Sequence, residues 1–343
     1  MKKGCKYGTH RVIEPQGVLP QAAQKIDNDM TIYSNEMLID VIALNIDSAS
    51  FHQIEQACDG DEDKIKAMIK GIVDERGKMQ NPVTGSGGML IGTVKEIGPD
   101  FPGNLKVGDK IATLVSLSLT PLKINEITKI HPEIDKVEID GTAILFESGI
   151  YAKLPDDMSE ALALAALDVA GAPAQAAKLA RPGQSILILG ASGKSGIMCA
   201  YEAKKRVGPT GRVVGMASRE ATAQKVRDTG FCHEVIIADA AKPMEVLEKA
   251  LAANNGEEFD LAINVVNIPN TEMSTILPVK NGGIVYFFSM ATSFTKAALG
   301  AEGVGKDVTM IIGNGYTKDH AEITLEVLRE SDILRQLFEK SYQ

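Results

Sequence analysis

Residues 185–196 read SILILGASGKSG. The run from Ser185 to Leu189 is too short for a helix and apolar throughout, which is the pattern of a strand buried on both faces of a parallel sheet. Gly190, Ala191, Ser192, Gly193, Lys194, Ser195 and Gly196 follow at once, and a helix-like stretch opens within them. Such a strand, glycine turn and helix unit suits a pyrophosphate. The glycines let the backbone approach closely, and the first amides of the helix present unpaired N–H groups and the positive end of its dipole. These seven residues are therefore expected to bind a dinucleotide. A nucleotide triphosphatase is disfavoured, because GxxxxGK[ST] would require glycine where the chain has Ile188.

Working outward, the runs RVVGMA (212–217), EVIIA (234–238), DLAINVV (260–266) and GGIVYFF (282–288) read as further strands, with helix-like segments at 196–207, 219–229 and 242–253. Strands alternating with helices at this spacing mean a parallel sheet with both faces covered. Ser289 stands at the end of the last run and joins the expected cofactor residues. In such units, a residue about 20 positions past the glycines contacts the adenosine ribose, an acid for NAD or an Arg for a 2′-phosphate. Here that stretch is Ala217-Ser218-Arg219, so NADP is favoured over NAD. The plainer reading is that Ser218 caps the next helix and Arg219 is solvated.

Upstream the pattern changes. Residues 159–180, SEALALAALDVAGAPAQAAKLA, are helical with an interruption at Gly171 and Pro173. Before Pro155 the runs Glu36–Ile46, 89–98, 107–115 and Thr142–Phe146 have the turns of an antiparallel barrel. Residues 61–76, DEDKIKAMIKGIVDER, form an inserted amphipathic helix with Asp61 as its cap. The expectation is an α/β chain: a barrel domain over 1–154 with a helical insertion near 61–84, a doubly wound dinucleotide domain over 155–315, and helices over 316–343 returning to the first domain. A chain of 343 residues is long enough for two cores.

Composition narrows the partners. Thirty-six basic against forty-five acidic residues leave a net charge of −9, without the clustered cations that nucleic acid needs. No apolar run is long enough to span a bilayer, and Met1–Glu14 lacks a hydrophobic signal core, so a cytoplasmic protein with no membrane partner is expected. Cys5, Cys58, Cys199 and Cys232 form no CxxC pair and read as reduced packing residues.

The ordered set GTVKEIGPDF (92–101), LKVGDKIA (105–112), LARPGQSILILGASGKSG (179–196) and NGGIVYFFS (281–289) resembles the medium-chain dehydrogenase/reductase superfamily over nearly the whole chain. That resemblance implies a GroES-like catalytic domain, a Rossmann domain, a catalytic cleft between them and a homodimer formed through the Rossmann sheet edge around 282–315. More narrowly, GCKYGTHRVIEPQGVLPQAAQKIDN (4–28), ALNIDSASFHQI (43–54) and the insertion at 61–84 resemble the L-erythro-3,5-diaminohexanoate dehydrogenases of bacterial lysine fermentation. The activity implied is NAD(P)-dependent oxidation of the 3-amino group, giving 5-amino-3-oxohexanoate and ammonia. Zinc-dependent members of the superfamily carry a Cys where this chain aligns Asp47, and Gly-His-Glu where it has Gly87-Gly88-Met89. With sulfur and imidazole both missing, no metal is expected.

Amine oxidation without zinc needs a base near the C3 nitrogen and carboxylates for a doubly cationic substrate. Asp47 and His52, after the first long strand, Glu147 and Tyr151, near the domain crossover, and Asp168, in the apolar ALALAALDVA stripe, are the candidates. Glu55 lies just beyond and suits a solvated helix face better. Each candidate has a duller role: Asp47 an N-cap, His52 a solvated ring, Tyr151 packing, Lys194 a solvated cation rather than a phosphate ligand. Two other functions fit the glycine loop, a zinc-free NADPH-dependent quinone or enoyl reductase with an apolar pocket, and a noncatalytic NADPH-binding protein.

Overall fold

The computed structural model describes residues 1–313 and 315–342. The chain divides into two compact units, Met1–Asp156 and Asp157–Gln343.

In the first unit, short strands β1 (Val12–Glu14) and β2 (Lys25–Ile26) pair with each other, and β3 (Glu36–Ile46) begins the main sheet. Helices α1 (Ser48–Ala57) and α2 (Glu62–Arg76) follow, then β4 (Gly88–Ile97), β5 (Lys110–Thr113), β6 (Leu122–His131), β7 (Lys136–Phe146) and β8 (Tyr151–Lys153). The antiparallel order is β6-β7-β3-β4-β5-β8. Central β3 pairs along its length with β4 and β7, and a bulge at Val41/Ala43 interrupts both ladders, which increases local twist. Asp61 caps α2 as its sequence suggests, accepting the Asp63 and Lys64 N–H groups. The helix buries Ile65, Ile69, Ile72 and Val73 in the core that holds Leu44, Leu90 and Val137, each such side chain contributing about 1.5–3 kcal/mol. The stretch after Asp47 is helix α1. Strand β6 shows an irregular alternation, burying Leu122, Ile124, Ile127 and Ile130.

The second unit opens with α3 (Glu160–Leu167) and α4 (Gly171–Leu179), the two halves of the Ala/Leu-rich stretch. The break falls at Asp168–Ala170, and Pro173 sits in the first turn of α4, where its missing N–H costs nothing. Then follow β9 (Ser185–Leu189), α5 (Lys194–Val207), β10 (Arg212–Ala217), α6 (Glu220–Thr229), β11 (Glu234–Ile237), α7 (Pro243–Ala253), β12 (Phe259–Asn264), α8 (Glu272–Ile276), β13 (Val279–Phe287), α9 (Phe294–Gly303) and β14 (Thr309–Ile312). All pairs are parallel and the order is β11-β10-β9-β12-β13-β14. Numbered within the unit this is 3-2-1-4-5-6, the doubly wound order whose topological switch point lies between β9 and β12.

Helices α10 (His320–Glu330) and α11 (Asp332–Tyr342) close the chain. They belong to the second unit. Their buried Ala321, Thr324, Leu325, Leu328, Leu334 and Phe338 belong to faces that pack on α3, α4 and α5. Thr324 Oγ1 also donates to the Ala170 carbonyl at 3.2 Å.

Candidate active and cofactor site

The glycine turn sits at the carboxyl end of β9, beside the switch point where ligands of open α/β sheets bind. Its backbone conformation requires glycine at two places. Gly190 has φ +85°, in the left-handed region, and a Cβ there would lie 3.0 Å from Val266 Cγ2. Gly196 packs so closely under the turn that a Cβ would fall 2.1 Å from the Gly190 carbonyl oxygen. The turn is held down by the Gly190 and Ala191 N–H groups, which both donate to the Met216 carbonyl at 3.1 and 3.0 Å. Gly193 then opens α5 with no side chain capping its first amides, leaving them to an anion. A turn that a single methyl would block, set before an uncapped helix, fits a pyrophosphate.

Ser218 and Arg219 are both exposed at the end of β10. The capping position of α6 belongs to Arg219, not Ser218, and no side chain caps that helix. Among the described residues, the Ser218 hydroxyl and Arg219 guanidinium show no ion pair or hydrogen bond, and both are exposed to a ligand. Ser289 Oγ accepts the Ala291 N–H at 3.2 Å in the loop after β13. Lys194 forms a 2.6 Å ion pair with Asp168. Two candidates assigned to different jobs by sequence are thus neighbours. Asp168 closes α3 as its C-cap and is 62% exposed, not buried in the apolar stripe.

In the first unit the acidic candidates are scattered. Asp47 occupies the N-cap position of α1 without capping it, and instead its Oδ2 accepts the Gly87 N–H at 3.2 Å. The ends of β3 and β4 are thereby joined, which brings together the two positions where zinc-dependent relatives carry ligands. The residues there do not fit zinc. Gly88 has no room for the imidazole, since even a Cβ would stand 2.0 Å from the Asn45 carbonyl oxygen. Among the described residues, no three His, Cys, Asp or Glu side chains come together as a metal set. His52 is 66% exposed on α1, hydrogen-bonded to Gln56 at 2.9 Å and 3.6 Å from Glu55. Glu147 accepts the Asn35 amide at 2.9 Å, and Asn35 also grips the Gly4 backbone through both its amide groups. Glu147 therefore ties down the N-terminal segment. Tyr151 lies on β8 with its hydroxyl against Gly103 and its ring 6.4 Å from Phe101.

The chain also contains a buried charge cluster that sequence reasoning missed. Arg11 and Glu36 are each 1% exposed and paired at 2.7 Å. Glu36 also accepts from His10 Nε2 and from the Tyr33 N–H, both at 2.9 Å. The Cys5 N–H donates to His10 Nδ1 at 2.9 Å, so His10 carries its proton on Nε2. Burial works to raise the Glu36 carboxyl; the hydrogen bonds from Arg11, His10 and Tyr33 outweigh it and hold the group at about 2.

Comparison with known proteins fits this architecture. Residues 10–155 match the family model of the L-erythro-3,5-diaminohexanoate dehydrogenase N-terminal domain. A protein of that name from Acetoanaerobium sticklandii is 73% identical over 342 residues, covering 99% of each chain. This chain belongs to the L-erythro-3,5-diaminohexanoate dehydrogenase family. A second member, from Fusobacterium nucleatum subsp. nucleatum, is 71% identical over 347 residues and covers both chains fully. Outside the diaminohexanoate dehydrogenases, the alcohol dehydrogenase TADH from Thermus sp. ATN1 shares the fold, with a TM-score of 0.53 at 16% identity, over 92% of this chain and 88% of that one. The family name makes the chain an oxidoreductase, and its fold is the one it shares with that alcohol dehydrogenase. For the Arg11–Glu36 cluster of this dehydrogenase there is no local signal: Arg11 follows Thr9-His10 and Glu36 follows Ser34-Asn35, and only tertiary placement joins them.

Proposed function

We propose that this chain is an NADP-preferring dehydrogenase that converts L-erythro-3,5-diaminohexanoate to 5-amino-3-oxohexanoate and ammonia without zinc, as a cytoplasmic homodimer in lysine fermentation. The observation carrying this reading is 73% identity across the whole length of a protein named for that activity.

A bound nicotinamide supplies the hydride acceptor. The chain's own residues do the rest. The amides of Ala191 to Lys194 and the N-terminus of α5 neutralise the pyrophosphate, and Ser218 with Arg219 favours a 2′-phosphate. Ser289 adds a hydroxyl in the loop after β13. Asp168 keeps Lys194 extended beside the turn, and displacing that pair frees both a phosphate-binding cation and an acid for a substrate ammonium. In the first unit, Asp47 offers an acid for a substrate ammonium, and the His52 imidazole takes the proton that the C3 nitrogen must lose before the hydride leaves. Tyr151 orients the amine, while Glu147 contributes indirectly by fixing the N-terminal segment.

The test follows reduction of NADP⁺ and NAD⁺ with the diamino acid, against oxidation of NADPH by quinones and enones. Ammonia released in step with cofactor reduction, faster with NADP⁺, is expected. Turnover only with quinones or enones would establish the reductase instead, and cofactor binding without any turnover would indicate a noncatalytic protein.

A further inference from the structure

Two loops lie to one side of the glycine turn at the carboxyl edge of the parallel sheet: 265–271 after β12, the neighbour of β9, and 288–293 after β13, one strand further along. Both are fastened from beneath by side chains that the sequence reading did not single out. Asn264 is fully buried at the last position of β12. Its amide donates to Thr271 Oγ1 and to Thr275 Oγ1, each at 2.8 Å, and its Oδ1 accepts the Val266 N–H at 2.9 Å. Every hydrogen-bonding direction of the side-chain nitrogen is used, and the oxygen fixes Val266, the residue packed against Gly190. Thr275 Oγ1 in turn donates to the Thr271 carbonyl at 2.8 Å. The next residue along, Glu272, is 3% exposed and accepts the Ser293 N–H at 2.7 Å. Ser293 ends the second loop and caps α9 through its own hydroxyl.

We propose that Asn264, Thr271, Thr275 and Glu272 form a buried polar brace that positions both loops for the cofactor, Asn264 by seating Val266 on the glycine turn and Glu272 by anchoring the loop that carries Ser289. The inference rests on the dinucleotide reading of this edge of the sheet. A buried polar set of this kind costs stability unless every member is satisfied. An apolar side chain at Asn264 would fill the space but would leave the Val266 N–H unpaired, so the feature that the amide adds is loop placement.

The experiment measures the dissociation constants of NADPH and NADH by fluorescence for the full-length protein, together with thermal unfolding. Asn264→Ala and Glu272→Ala are each expected to weaken cofactor binding about tenfold, the effect of one misdirected or lost hydrogen bond. Glu272→Gln retains the oxygen that accepts from Ser293 and is expected to bind within about twofold of wild type. A merely structural role would lower the unfolding temperature and leave the dissociation constants of the folded fraction unchanged. Should Asn264→Ala not fold, Thr275→Val keeps the volume, removes one amide acceptor and is expected to show a smaller loss of affinity. Wild-type affinity in Glu272→Ala together with Asn264→Ala or Thr275→Val would overturn the brace. Failure of the wild-type protein to bind either nucleotide would overturn the dinucleotide reading itself, and the brace with it.

Discussion

The glycine turn after β9 and the acidic side chains around β3 and β7 solve the problem of building a site in opposite ways. In the second unit the backbone makes the site: two glycines allow a close turn, and the helix behind it presents its own amides. In the first unit the charged groups are side chains, and each is already engaged with a local partner. Asp47 holds Gly87, Glu147 holds Asn35, and Glu36 is enclosed by Arg11, His10 and Tyr33. A backbone site is specified by consecutive residues, whereas a side-chain site is specified by which distant segments meet.

The sharpest way to break this contrast is at Gly196. Gly196→Val places atoms where the Gly190 carbonyl stands and should weaken nucleotide binding by about a hundredfold or more, read by NADPH fluorescence. Unchanged affinity would mean that the turn does not seat the ligand. In the first unit, Arg11→Met should act on stability instead. It strands the Glu36 carboxylate in a site that is 1% exposed, and loss of one partner of such a pair costs about 3–5 kcal/mol. Urea unfolding should show this loss, while the nucleotide dissociation constant stays near that of wild type.

A smaller effect concerns acid. The Glu36 carboxyl lies at about 2 in the folded chain against 4.5 ordinarily. Its contribution is complete above the ordinary value and is lost as pH falls toward 2, amounting to about 3 kcal/mol. Glu36→Gln, measured by unfolding across that range, should flatten this part of the acid limb. An effect of similar size is at the opposite end of the pH scale. Lys78 is fully buried, donating to the Pro20 and Gln21 carbonyls. Burial, with the Arg76 charge adding to it, pushes its ammonium from 10.5 to about 8. Between those values the unfolded chain keeps a proton that the folded chain has released, so stability rises with pH. Lys78→Met should remove that rise relative to wild type.

The same contrast explains what was legible in the sequence. The order of strands and helices from Ser185 to Asn264 could be read because each β-branched or aliphatic run is continuous and each crossover local, whereas the short α8, α9 and β14 were not read. Strand β6 has only a weak period-2 signal, because its alternation slips at two irregular points, between Ile124 and Glu126 and between Ile127 and Lys129. Asp168 was expected in an apolar stripe because the helix was read through a break that places it on the surface, next to Lys194. The Arg11–Glu36 pair and the Asn264–Glu272 brace join residues through folding, and neither carries a local pattern that announces it. His52 was correctly placed after the first long strand, yet periodicity could not tell that its ring would face outward on α1.

The account is tested most directly with diamino acid substrate carrying deuterium at C3. It predicts that the deuterium appears in the reduced nicotinamide nucleotide, with one ammonia released for each nucleotide reduced. Deuterium lost to solvent, or ammonia formed without nucleotide reduction, would contradict it.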